Sequence, residues 1–309
     1  MIDVRKLRML AALQRLGTIA AVADELHLSP PGVSMQLTGL EKELGLQLTQ
    51  RQGRRVTLTP AGSLLAAHGH DIIDRISLAE LELNALRAGT VGHYTVTAFP
   101  SAGRTFLADA CRHVIGDDGC ALELRITTSE PEAALDALSS GAVDLAVIHS
   151  YSNVPRDVPA GLATRTIGTE PVWLATRKPD RPGDGEPSTR LEDYAESPWI
   201  AATDDVTCFD MVERACGLAG FRPQIVAESL DFSVQLALVA AGVGVALVPD
   251  LTVETLPDGV DLLTPSTPIE RTIFIAARAP RFNDPGIHNL AAIIEESAAA
   301  RLTAPRQPR

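Results

Sequence analysis

Apolar positions recur with helical spacing over residues 4–88. Val4, Leu7, Leu10 and Ala11 share one face, and the pattern stops before Gly17. Thr18 is placed to cap a second helix that buries Ile19, Val22, Ala23 and Leu26. His27 and Leu28 make a short turn. Ser29 caps a third helix, with Pro30 in its first turn, where a missing N–H costs nothing. Val33, Leu37, Leu40 and Leu44 form its buried stripe, which leaves Ser34, Met35, Gln36 and Thr38 on the opposite face. Two helices joined by a short turn, the second with a polar outer face, predict a helix-turn-helix. Residues 46–48 and 56–58 alternate around Arg51, Gln52, Gly53, Arg54 and Arg55, which predicts a small basic hairpin, a wing. Thr59 and Pro60 restart a helix that runs to about residue 88, with Leu65, Ile72, Ile76, Ala79, Leu83 and Leu86 in a three-four pattern. So long a helix leaving a small domain calls for a partner helix, so dimerisation is expected.

From residue 94 the texture changes. Strands at 94–99, 121–127 and 143–149 alternate with helices at 103–113 and 130–139, and this order implies a parallel sheet with crossover helices. Further strands are expected at 171–176, 199–202, 224–227, 245–248 and 271–277, and helices at 208–219, 233–241 and 284–300. The fold class is therefore α/β behind an all-helical head with a wing.

Composition changes this picture only in places. With 309 residues the chain suits two or three lobes. Aromatic residues make up 4%, which argues against aromatic ligand cages. The net charge of −12 first argues against nucleic acid, yet residues 1–65 carry eight Lys/Arg and five Asp/Glu. A basic head on an acidic body confines polyanion contact to one end. Four cysteines in so long a chain make no disulfide scaffold, and Cys208 and Cys216, eight apart on one helix, are expected to be buried or inert. The longest apolar run, 236–248, is too short to span a membrane, and no signal-peptide pattern opens the chain, so a cytoplasmic protein without membrane contact is expected. No HExxH, GxSxG, P-loop or paired CxxC spacing appears, so neither an enzyme nor a cofactor or metal is expected. Gly242-Val243-Gly244 runs from helix into strand, the wrong order for a dinucleotide fingerprint.

The first 65 residues resemble the DNA-binding domain of the LysR-type transcriptional regulators. The resemblance is carried by the helix and turn "AVADELHLS", by "LEKELG" at the end of the third helix and by "RQGRRVTLTPAG" in and after the wing. "LDALSSGAVDLAVI" and "VAAGVGVALVP" resemble two stretches of the family's effector half. The resemblance implies a winged helix-turn-helix at 1–58, a linker helix and hinge at 59–90, and a two-subdomain, periplasmic-binding-protein-like effector domain at 91–303, with a tail at 304–309. Subdomain I is expected at 91–163 and 268–303, and subdomain II at 164–267. It further implies a homodimer or homotetramer, double-stranded promoter DNA as partner, and a small-molecule effector, an organic acid or amino acid, in the cleft.

Candidate contacts to DNA are Ser29, Pro31, Ser34, Met35, Gln36 and Thr38 on the third helix, and Arg51, Arg54 and Arg55 in the wing. Pro30 and Met35 stand where the family pattern has Gln and Arg, and neither can form a bidentate pair with a base. Candidate effector contacts lie at the carboxyl ends of strands: Ser101 and Ala102, Thr128, His149 and Thr203. Ser101 is expected to cap the helix that follows and to help hold an anion there. Three alternatives share parts of this pattern: a transport-type solute-binding protein, a redox sensor using Cys208 and Cys216, and an enzyme on the same fold.

Overall fold

The structure, a computed structural model, describes residues 2–52, 55–88, 91–116, 121–178, 187–253 and 255–302. Three helices open the chain: α1 (Val4–Leu16), α2 (Ile19–Glu25) and α3 (Pro30–Leu44). Asp3, Thr18 and Ser29 cap them, each side chain accepting a backbone N–H of the first turn. Their apolar stripes meet in one core of Leu10, Leu13, Val22, Ala23, Val33, Leu37 and Leu40.

The wing is the antiparallel pair β1 (Thr49–Gln52) and β2 (Arg55–Leu58), with Gln52 opposite Arg55. The first strand starts later than the expected 46–48. Glu41 sets the start: one carboxylate oxygen accepts the Leu48 and Thr49 amides and the Thr49 hydroxyl at 2.8–2.9 Å. Gly45, at φ +66°, ends α3 in the left-handed conformation that glycine adopts without strain. Thr59 then accepts the Gly62 amide at 3.0 Å and opens α4 (Pro60–Ala88). A Cβ on Gly62 would overlap the Leu48 carbonyl, so the helix passes this close to the wing only with glycine there.

The remaining elements build two lobes. Lobe I holds β3 (Val91–Ala98), α5 (Pro100–Ala102) leading through a π-helical turn (Gly103–Leu107) into α6 (Ala108–Gly116), β4 (Ala121–Thr128), α7 (Pro131–Ser139) and β5 (Leu145–Tyr151). β3 opens at Val91, and residues 89–90 lie outside those described. β6 (Leu162–Arg177) is sixteen residues long, where only 171–176 was expected. Lobe II follows with β7 (Pro198–Ala201), α8 (Thr207–Leu218), β8 (Gln224–Glu228), α9 (Phe232–Ala240), β9 (Val245–Pro249) and β10 (Val260–Leu263), a strand that was not expected. The chain returns to lobe I in β11 (Glu270–Arg278) and α10 (Pro285–Leu302).

The strand order is β4-β3-β5-β11-β6-β9-β7-β8, with β10 also on β6. β3 pairs in parallel with β4 and β5, as crossover helices demand. The first part of β6 pairs with β11 up to Pro171, and the rest pairs with β9 and β10 from Val172 onward. The expected subdomain limit at 163/164 thus falls on the first residues of a strand whose opening half belongs to lobe I. Lobe I packs α6 and α10 on one face, with Phe106, Ile287 and Ile294 in the core, and α7 on the other, with Leu135, Leu138 and Ile148. Lobe II does the same with α8 around Trp199 and α9 around Leu236 and Val239.

The long helix α4 packs on α1 and then meets lobe I. Arg278 of β11 pairs with Asp74 of α4 and donates to the Leu138 and Val143 carbonyls at 2.7 and 3.1 Å. His70 lies beside this pair, and a Cβ on Gly141 would stand 3.2 Å from its ring. Burial, then the positive charge of Arg278, lowers the His70 pKa; Asp74 and Asp71 oppose this, and Arg15 adds to it. The folded chain therefore resists a proton that the unfolded chain accepts near pH 6.5. The resulting stability is complete above that value and is lost as pH falls below it. Thermal midpoints should drop between about pH 7.5 and 5.5, and the drop should be smaller in His70→Gln. Equal drops in the two proteins would show that His70 does not report on this seam.

Candidate functional site

One candidate surface is the outer face of α3. Val33, Leu37 and Leu40 are buried, and this turns Pro31, Ser34, Met35, Gln36 and Thr38 outward. Met35 is 70% exposed. Ser29 spends its hydroxyl on the cap, accepting the Gly32 amide at 3.2 Å. Arg51 is exposed on β1. Arg55 stands in β2 opposite Gln52, and Arg54 lies outside the described residues. Two further arginines, missed in the sequence, join this face. Arg5 and Arg8 of α1 line a shallow depression with Leu28, Gly32 and Gln36. Their helical spacing suited a core helix and gave no sign of which way they point. Two other basic residues of the head are absorbed internally, Lys6 by Glu43 and Arg15 by Glu25.

A second candidate site lies between the lobes. At its floor, Glu170 of β6 and Arg271 of β11 are directly paired neighbours in the sheet. Their side chains are 2% and 1% exposed and form an ion pair at 2.6 Å. Arg271 also donates to Ser101 Oγ at 3.0 Å and lies over the Phe99 ring. The second Glu170 oxygen accepts the Leu251 amide of lobe II at 2.5 Å. Burial works against the Arg271 charge, but Glu170, Tyr151 and Cys208 together outweigh it and raise the guanidinium pKa.

Nearer the mouth, Glu132 and Arg156 of lobe I form an ion pair at 2.5 Å, and Thr207 at the start of α8 bonds to both. Burial opposes the Glu132 charge, yet the bonds from Thr207 and Arg156 prevail and hold the carboxyl below its ordinary range. Asn153 donates to the Met211 carbonyl of α8 at 2.9 Å, and the Tyr151 hydroxyl lies 3.3 Å from Cys208 Sγ. Burial pushes the Cys208 and Cys216 thiols up to about 12, which leaves them poor nucleophiles.

The five expected effector residues fare differently. Ser101 does not cap its helix. Phe99 occupies the cap position, and the serine hydroxyl sits inside the first turn against Arg271. Ala102 is fully buried in the lobe I core. Thr128 is exposed beside Gly103. His149 is buried, with the Phe99 and Tyr151 rings edge-on at 4.8 and 5.1 Å. Burial, then Arg271 and Arg156, pushes its pKa well down, so the ring is neutral. Ser101 and His149 thus meet around Phe99 and Arg271. Thr203 turns away to Asp205 at 2.6 Å. Glu130, Glu132, Arg156, Glu170, Thr207 and Arg271 were not singled out. They come from separate elements, and no local spacing marks them.

Comparison with known proteins places this arrangement. Residues 4–63 match the model of the bacterial regulatory helix-turn-helix protein, lysR family, and residues 87–299 match the LysR substrate binding domain. The chain belongs to the LysR family and is a DNA-binding transcriptional regulator with an effector-binding domain. It is 24% identical over 281 residues to the nitrogen assimilation regulatory protein nac of Klebsiella aerogenes, covering 89% of each chain. It is 29% identical over 266 residues to a probable hydrogen peroxide-inducible genes activator of Streptomyces viridosporus, covering 81% of each. A substituted full-length OxyR from Pseudomonas aeruginosa shares the fold at a TM-score of 0.72 and 20% identity, over 97% of this chain and 95% of that one. Among the described residues, no helix is long and apolar enough to cross a membrane.

The buried pair makes a direct prediction. Arg271→Ala strands the Glu170 carboxylate without its partner and should cost about 3–5 kcal/mol. Replacing both residues by apolar ones, Arg271→Met with Glu170→Leu, should recover most of that loss. Denaturant titration of the three proteins measures it. A loss below about 1 kcal/mol in the single variant would mean that water solvates the pair.

Proposed function

We propose that the outward face of α3 and the arginine-bearing wing dock on promoter DNA, and that a small organic acid or amino acid in the inter-lobe cleft modulates that docking in a homodimer or homotetramer. The observation that carries the DNA half is the division of α3, with Val33, Leu37 and Leu40 inward and Pro31, Ser34, Met35, Gln36 and Thr38 outward. In this reading Ser34, Gln36 and Thr38 reach base edges or phosphates, and Met35 offers an apolar contact to a thymine methyl. Ser29 contributes the helix start. Arg51, Arg54, Arg55, Arg5 and Arg8 neutralise phosphates. The effector half is supported by the guanidinium groups of Arg156 and Arg271, the polar ends of β3 and β4 at Ser101 and Thr128, and His149 between them. Ala102 would act through the backbone, and Thr203 would enter only after leaving Asp205. Glu132 and Glu170 now hold the two cations, as the carboxylate of an effector would.

Retention on duplex fragments at low ionic strength tests the reading. Arg51→Ala and Arg55→Ala should each weaken binding to any sequence and reduce the salt slope by about one unit. Unchanged slopes in both would remove the wing.

The oligomer half has its own support. Leu78 of α4 is buried on the chain's own body, while Ile72 and Leu83 are 40% and 62% exposed. With Ile76 and the exposed Ala79 they make one stripe at steps of four, three and four. A charge at the stripe, Leu83→Glu, should shift the molar mass by light scattering toward the monomer without lowering helix content. A mass unchanged by Leu83→Glu and by Ile72→Glu would place the interface elsewhere.

A further inference from the structure

Three side chains of metal-ligating type meet in the cleft from three separate elements. Glu130 precedes α7, His149 lies in β5 and Cys208 is in the first turn of α8. One carboxylate oxygen, one imidazole nitrogen and the sulfur lie within 4.8 Å of one another. Glu130 Oε2 is 3.6 Å from His149 Nε2. His149 is 1% exposed, and neither ring nitrogen has a hydrogen-bond partner. A buried imidazole with two unused nitrogens bears a desolvation cost that the fold alone does not offset. Glu130 stands at the cap position of α7 yet makes no capping bond. Only Cys208 has a neighbour of this kind, the Tyr151 hydroxyl.

We propose that Glu130, His149 and Cys208 form a site for a divalent cation of the zinc and cobalt class, which ties lobe I to the first turn of α8. A mixed sulfur, nitrogen and oxygen donor set favours such ions over magnesium or calcium. Tetrahedral zinc places its ligand atoms about 3.5 Å apart, so the three groups need close in by roughly an ångström. Two cations face the site, Arg271 and Arg156, and each is already balanced by its own carboxylate, Glu170 and Glu132. The ion displaces the thiol proton to solvent, and the Tyr151 hydroxyl then donates to the thiolate. Three protein ligands leave a fourth position for water or for a donor atom of an organic effector. Cation binding stands independently of the regulator reading; only the use of its fourth position by an effector rests on that reading.

The test is titration of Co2+ into the full chain. About one equivalent should produce a thiolate-to-cobalt charge-transfer band, which Zn2+ should bleach. Cys208→Ser should abolish the band, and Glu130→Gln should weaken binding at least about tenfold. Zn2+ should raise the thermal midpoint of the unsubstituted chain, a measurement that needs no variant. Absence of the band in the unsubstituted chain, its survival in Cys208→Ser, or a midpoint indifferent to Zn2+ overturns the site. Duplex retention measured in parallel separates the two readings. A chain that binds DNA and shows no band loses only the cation site, and one with the band but no retention keeps the site and loses the regulator reading.

Discussion

The two lobes are one object because of the contact between Glu170 and Arg271. These residues face each other across β6 and β11 at the place where β6 passes from lobe I to lobe II and β11 begins. A buried ion pair is not a cheap source of stability, because both charges must leave water. Its worth lies in what it fixes. Arg271 reaches Ser101 and Phe99 of lobe I, while Glu170 holds the amide of Leu251, which follows β9 of lobe II and packs its side chain into the lobe I core. Sliding one lobe past the other would uncover an unpaired charge at the floor of the cleft. Rotation about the pair keeps both bonds, so the chemistry of the crossover selects hinge motion over shear.

At the mouth the forces are smaller. Thr207 to Glu132 and Arg156, Asn153 to the Met211 carbonyl, and Tyr151 to Cys208 are among the polar contacts that join the lobes there. A hydrogen bond to a charged group contributes about 1.5–3 kcal/mol and a neutral one about 1. Together these four bonds contribute about 5–8 kcal/mol, of the order of the differential affinity by which a ligand shifts a two-state equilibrium. The floor concentrates its cost in one buried pair, whereas the mouth spreads it over several separate bonds.

The helices of the head were readable because their signals are local. Caps at Thr18 and Ser29, the three-four stripe of α3 and the left-handed Gly45 each lie within a turn of the element they define. Glu41 and Gly62 show why the family-like stretches around them have the form they do: one carboxylate starts the wing, and one missing side chain lets α4 pass over it. The effector half was legible as alternating strands and helices and then lost detail. The opening stretch of β6, LATRTIGT, is largely polar and partly exposed on both faces, so it carries no apolar run to betray a strand. β10 has only four residues. The cleft charges escaped for another reason. Arg271 meets Ser101 across 170 positions and Glu170 across 101, and no spacing rule spans such distances.

The seam at Arg278 bears on how a signal could leave the cleft. Arg278 joins lobe I to α4 through Asp74, and α4 in turn packs along α1 of the head. Head, long helix and lobe I are thereby linked in series by packing and a partly buried ion pair. Lobe II touches this series through the crossover and the cleft. Rotation of lobe II within one chain therefore leaves the head fixed relative to lobe I. In the proposed oligomer, a second copy of the chain against lobe II would give the displacement a route through that copy's own seam to its head. On this argument the exposed stripe of α4 and the cleft belong to one device.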